Sequence, residues 1–392
     1  MIKQDIPKIR FYSYQGAWTE NKITDIVKIS AGGDVDKERL KESGKYPVVA
    51  NSLTNKGIVG FYDDYKVKAP AVTVTGRGDV GYAVARHENF TPIVRLLTLQ
   101  SDNIDVDYLE NQINSMRILN ESTGVPQLTA PQLGNYKVYH PEIEEQIAIG
   151  SLFRTLDDLL ASYKDNLANY QSLKATLLSK MFPKAGHTVP EIRLDGFEGE
   201  WEFSSLGEQA DITKLAGFEF TNHVVYSDEG KIPAIRGLNV KNQKVNLSDV
   251  KYIDKSDFSK LDRSKLIEDD LLFTYVGTVG EVARVPESVL WYLAPNVSRI
   301  RLNRALDSRF VLYQMASNRF KQKQIFPLIA TSSQPALSMA NIRKFIISFT
   351  TLEEQQAIGS YFSNLDNLIN SHQEKISQLE TLKKKLLQDM FI

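Results

Sequence analysis

The chain has 392 residues, no cysteine and a formal net charge of −1, with 42% hydrophobic and 24% charged residues. That length predicts two or three domains, and the lack of cysteine excludes disulfides and thiolate metal sites. Near-neutrality argues against a protein that grips nucleic acid by its own charge alone, since phosphate neutralisation supplies most of such affinity, yet it allows a subunit whose partners bring positive charge. Residues 1–18 lack the apolar core of a signal peptide, and no apolar run approaches membrane-spanning length. The expectation is a soluble, cytoplasmic protein with no membrane attachment.

Taken in order, the chain opens with Pro7-Lys8-Ile9-Arg10 and Trp18, which recur as Pro190-Glu191-Ile192-Arg193 and Trp201 at an offset of 183. Strand-like runs follow at 46–50, 71–75, 81–86 and 92–97, then one helix-like segment at 106–118. The second half repeats the pattern, with strands at 232–236, 270–275, 280–285 and 297–302. Its helix-like segment, 308–325, is opened by Asp307 as an N-cap. Residues 75–81 match 274–280 at an offset of 199, and 122–129 match 331–338 at an offset of 209. The growing offset gives the second body about 26 more residues, placed in loops between shared elements. Each body is expected to be a mixed α+β domain with curled antiparallel sheets.

Residues 144–182 and 353–391 align without a gap over 39 positions at the same offset of 209. Each predicts one long helix, about 58 Å if straight. The first copy carries Ile149, Phe153, Leu156, Leu160, Tyr163, Leu167, Tyr170, Leu177 and Met181 at alternating spacings of four and three. The second carries Ile358, Phe362, Leu365, Ile369, His372, Ile376, Leu379, Leu386 and Met390. This is the rhythm of a coiled-coil seam, interrupted only by Lys174 and Lys383. A stripe so long cannot be buried by its own helix, so the two copies are expected to bury each other as an antiparallel pair. The pattern is cyclic: body, helix, loop, body, helix. The expected division is 1–143 and 191–350 as bodies, 144–182 and 351–392 as long helices, and 183–190 as linker.

Catalytic motifs are absent. The match to GxGxxG at 76–81 should open a helix if it bound a dinucleotide, but Tyr82-Ala-Val-Ala-Arg86 continues as a strand. The repeat keeps only Gly277 and Gly280 of the glycines, so a tight turn is the expected role. There is no phosphate-binding GxxxxGK loop, no Asn-Pro-Pro-aromatic turn of an amino-methyltransferase, and no histidine pair at metal-ligand spacing. The candidate base readers are loop residues of the bodies. Arg77 and Asp79 lie in the first glycine turn, Tyr275 and Thr278 in the second, and Gln127 and Gln334 flank the shared prolines. Arg236 and Asn239 follow a strand; arginine has the fork geometry for guanine and asparagine that for adenine.

Two variable bodies alternating with two near-identical helices resemble the specificity subunit of a type I restriction–modification system. The sharpest local likeness is Glu144-Glu-Gln-x-Ala-Ile149 and Glu353-Glu-Gln-x-Ala-Ile358, similar to the family's entry to its helical region; the second copy has Thr350 where the first has Pro141. The resemblance implies a non-enzymatic chain that binds double-stranded DNA, each body reading one half of a split site while the helices set the spacing. It also implies two methyltransferase subunits carrying S-adenosylmethionine, and a restriction/translocase subunit using ATP and Mg, with no cofactor on this chain. Residues 1–143 hold 17 basic and 17 acidic side chains, in keeping with partners that complete the clamp. Two other readings stay open: a coiled-coil scaffold whose bodies bind proteins, and a fused DNA methyltransferase.

Overall fold

The computed structural model describes residues 6–116, 118, 125–330 and 334–391. The repeat segments 122–124 and 331–333 lie outside the described residues. The chain forms two compact units, Met1–Asp165 with His372–Ile392, and Asn166–Ser371. Each long helix therefore contributes one half to each unit.

In the first unit a four-stranded antiparallel sheet has the order Lys28–Ala31, Leu96–Gln100, Ala71–Thr75, Ala83–Arg86. The strand Ala71–Thr75 is buried on both faces and, after Ala71, consists of the β-branched residues Val72, Thr73, Val74 and Thr75, which suit a covered pleat. The helix Val106–Ser115 packs on the edge strand, and its Asn114 carboxamide donates to the Ala83 carbonyl and accepts from the Ala83 N–H, at 3.0 and 2.9 Å. Asp105 caps that helix by accepting from Tyr108 N at 2.8 Å. A smaller sheet joins Ile58–Tyr62, Tyr46–Val49 and Thr91–Pro92, the last pair parallel.

The second unit repeats this plan. Its four-stranded order is Ala210–Lys214, Val297–Leu302, Leu271–Thr274, Val282–Arg284, and its smaller sheet is Lys251–Tyr252, Pro233–Ile235, Tyr292–Leu293. Asp307 caps the helix Ser308–Ala316 by accepting from Phe310 N at 2.9 Å. The longer connections hold a hairpin, Val240–Lys241 with Lys244–Val245, and short turns at Phe258–Lys260 and Asp262–Ser264.

Three sequence expectations need correction. The small sheets are mixed rather than wholly antiparallel, because one pair in each runs parallel. The run 92–97 is two strands, broken where Arg95 takes a left-handed φ of 72°. The segment 308–325 breaks at Ser317, which leaves the helical region and caps a second short helix by accepting from Phe320 N.

The long helices run Ile143–Lys180 and Leu352–Asp389, 38 residues each. Within the first unit Phe153 meets Phe391, Asp157 meets Lys383 and Lys164 meets Glu380. Rising numbers on one helix face falling numbers on the other, so the halves pack antiparallel. Within the second unit Lys174 meets Asp366 and Phe182 meets Phe362, again antiparallel. Ile149, Phe153, Leu156, Leu160, Ile358, Phe362, Leu365 and Ile369 are buried, whereas Leu167 and Ile376 are only half-buried. Beyond the helix ends, Met390-Phe391 and Met181-Phe182 turn into the two cores.

The lysines that break the stripe are paired rather than idle. Lys383 reaches Asp157 at 2.5 Å, and Lys174 reaches Asp366 at 2.6 Å. Asp157 and Asp366 are the same position in the two copies, so one ion pair recurs in both units. A shift of register between the helices would separate both pairs.

Glu110 faces this seam from the helix Val106–Ser115. Burial first, then the like charge of Asp157, push its carboxyl to about 7, while Lys383 pulls the other way and Asp107 adds repulsion. The folded state then holds a proton that the unfolded chain has released. Stability from this group is complete below its ordinary 4.5 and is lost as pH rises through about 7. Glu110→Gln is expected to flatten that decline, measured by thermal melts of both proteins across the window. Parallel curves would mean that the carboxyl is charged throughout.

Candidate nucleic-acid interface

The shared glycine turns are built by backbone geometry that the sequence repeats. Gly78 and Gly277 have φ of 73° and 80°, and Gly81 and Gly280 have 86° and 93°, a region that side-chain-bearing residues rarely adopt. Each turn is stapled to the loop that carries the shared proline. Gly78 N donates to Pro126 O at 3.0 Å and Leu128 N to Gly76 O at 2.9 Å. In the second unit Gly277 N donates to Pro335 O at 2.9 Å and Leu337 N to Tyr275 O at 2.8 Å. Bridges Arg77 to Gln127 and Val276 to Ala336 close the same junction. Tertiary structure therefore brings Arg77 and Asp79 together with Gln127, and Tyr275 and Thr278 together with Gln334. Asp79, Gln127, Thr278 and Gln334 are exposed, and Arg77 is half-buried.

The junction of the first unit is held rigid by Asn51. Its Oδ1 accepts from Gly76 N and Arg77 N at 2.6 and 3.1 Å, and its Nδ2 donates to Arg77 O at 2.7 Å. In the second unit Lys214 Nζ lies 5.5 Å from the Tyr275 ring centre. Burial raises the Tyr275 and Tyr226 hydroxyls above their ordinary value, so both remain proton donors at neutral pH.

Asn239 does not join the reader set. It is 1% exposed, accepts from Arg236 N at 3.0 Å, and donates to the carbonyls of Asn246 and Asp249 at 3.0 and 3.1 Å. Its carboxamide is consumed in folding the loop. Arg236 lines the neighbouring cleft, but its guanidinium is bonded to the Asp249 carbonyl and lies 3.5 Å from that carboxylate. Residues that the sequence did not mark include Asn51, Phe220, Tyr226 and Asn296. Phe220 lies in a short helix, Gly217–His223, in the connection between Ala210–Lys214 and Pro233–Ile235, whereas the matching connection in the first body holds no helix.

Among the described residues no group of three or more histidine or acidic side chains could hold a metal ion, and no helix is long and apolar enough to cross a membrane.

Two units of one topology, each closed by antiparallel parts of two long helices and each presenting a stapled glycine turn, define a duplicated α+β protein. The chain matches the type I restriction modification DNA specificity domain over residues 15–170 and again over 198–381, and it belongs to that family. It is 23% identical over 278 residues to the type I restriction enzyme MjaVIII specificity subunit of Methanocaldococcus jannaschii, covering 68% of this chain and 64% of that one. A putative type I specificity subunit of Mycoplasma pneumoniae is 28% identical over 143 residues, covering 35% and 39%. The chain thus spans less than two-thirds of the length of either relative. The crystal structure of a type I restriction-modification S subunit from M. genitalium shares the fold, with a TM-score of 0.69 at 16% identity over 99% of both chains.

Proposed function

We propose that this chain is the DNA-specificity subunit of a type I restriction–modification complex. Residues 1–143 and 191–350 act as target-recognition domains, each reading one half of a bipartite duplex site through its glycine turn and the proline loop stapled to it. The long helices, 144–182 and 351–392, set the gap and dock two methyltransferase subunits. Those subunits bind S-adenosylmethionine, restriction/translocase subunits use ATP and Mg, and this non-catalytic chain works with them in the cytoplasm.

The observation that carries the reading is the duplicated junction. The same two backbone hydrogen bonds staple the same turn in both units, while the side chains they present differ: Arg77, Asp79 and Gln127 in one, Tyr275, Thr278 and Gln334 in the other. A constant frame with variable polar tips is what direct readout of two unlike half-sites requires.

Exchanging residues 1–143 for the corresponding body of a relative is expected to change one half of the methylated site and leave the other intact. Methylation mapping in cells carrying the hybrid decides it. A change in both halves would contradict modular reading, and S-adenosylmethionine binding to this chain alone would favour a fused methyltransferase.

A further inference from the structure

The two junctions share a scaffold but not a surface. In the first unit the Asn51 carboxamide fills the space beside the turn through its three hydrogen bonds to Gly76 and Arg77. Strand register locates the matching position in the second unit. Val49 pairs with Pro92 as Ile235 pairs with Leu293, so Gly237 stands where Asn51 stands. Among the described residues no side chain takes the place of the Asn51 carboxamide, and a cleft of about 320 Å³ opens beside Gly237. Phe220 and Tyr226, with ring centres 5.7 Å apart, and Leu238 supply its apolar wall, while Thr278, Asn296 and Gln334 supply polar groups.

The chemistry of this lining selects its occupant. The guanidinium in the wall, Arg236, commits its Nη2 to the Asp249 carbonyl and carboxylate, and its Nε is buried away from solvent, which disfavours a phosphate. An apolar recess flanked by a hydroxyl and carboxamides suits a base edge that carries a methyl group next to a hydrogen-bond acceptor. In the major groove that edge is thymine, with its 5-methyl beside O4.

Resting on the function proposed above, we infer that this cleft receives the 5-methyl group of one thymine in the half-site read by the second unit. Thr278 and Gln334 stand at its polar side, where O4 would lie. The first unit, plugged by Asn51, makes no such contact and reads through side chains that stand out from its turn.

The test uses the full chain assembled with its methyltransferase subunits, and duplexes in which each thymine of the methylated site is replaced in turn by deoxyuridine. This removes the methyl group and keeps the pairing. One replacement in the second half-site is expected to weaken binding about fourfold, the value of one methyl group taken from water. Gly237→Asn, which restores the plug, is expected to abolish the thymine–uracil difference. A Cβ at Gly237 would meet the Asn296 Cβ and O at 3.3 Å, a contact that small shifts relieve. Phe220→Ala opens the wall without adding atoms and is expected to reduce the difference as well. The inference fails if the second half-site contains no thymine, if no replacement there matters, or if the difference survives in both variants. Failure of the underlying reading looks different: the complex would bind the methylated sequence no better than unrelated DNA.

Discussion

Replacing Arg193 with methionine is expected to destabilise the protein by about 3–5 kcal/mol, because it leaves a buried carboxylate with no counter-charge and only the Thr350 hydroxyl bonded to it. The Arg193 guanidinium grips Glu354 with two bonds of 2.7 Å and also donates to the carbonyls of Gly199 and Glu198. Glu354 is 1% exposed and lies in the first turn of the helix Leu352–Asp389. The pair ties the segment entering the second body to the start of a long helix. The first unit repeats it, with Arg10 gripping Glu145 at 2.7 and 2.6 Å and holding the carbonyls of Gly16 and Gln15. Neighbouring backbone bonds recur as well: Ile192 N donates to Lys180 O and Ile9 N to Asp389 O. Arg10→Met should therefore cost about as much as Arg193→Met, by the same orphaned-charge argument. Adding Glu354→Gln to Arg193→Met should recover a large part of the loss, since no ionised group is then left without a partner. Urea unfolding of the three variants checks this. A single variant within about 1 kcal/mol of the parent would show that water reaches Glu354 once the arginine is gone.

Period and repeat were the readable part of this molecule. The four-three spacing from Ile149 to Leu160 and from Ile358 to Ile369 reports burial because a helix turns one face to its neighbour every 3.6 residues. The offset of 209 then named the neighbour. Lys174 and Lys383 looked like breaks because a single copy shows only a charge in an apolar stripe; their partners, Asp366 and Asp157, belong to the other copy. The cap at Asp307 was visible because capping is local. Asn239 misled for the opposite reason. A polar residue after a strand reads as a loop tip, and nothing nearby reveals that carbonyls seven and ten residues on consume its carboxamide. The break at Arg95 carried no compositional mark, since arginine rarely takes a left-handed conformation. The cleft beside Gly237 was hidden because it depends on a residue that is missing relative to the other unit.

On the function proposed above, with Arg77 as a base reader of the half-site assigned to the first unit, Arg77→Ala is expected to weaken binding of the specific duplex by about 10- to 100-fold, the worth of one bidentate guanine contact. The loop should survive the change, because Asn51 holds the main chain of residues 76 and 77 rather than the arginine side chain. The loss should therefore fall on recognition, and on one base pair of the half-site read by the first unit. Affinity for unrelated DNA should stay near the parent value. The salt dependence separates the two jobs an arginine can do on DNA. A base reader leaves the slope of log affinity against log salt unchanged, whereas a phosphate contact lowers it by about one. Binding by the assembled complex, measured over a salt series with the methylated sequence and with each single base-pair change, gives both quantities. A uniform loss across all sequences with a reduced slope would place Arg77 on the DNA backbone. The reading of the first half-site would then pass to Gln127 and Asp79, its exposed neighbours in the same stapled junction.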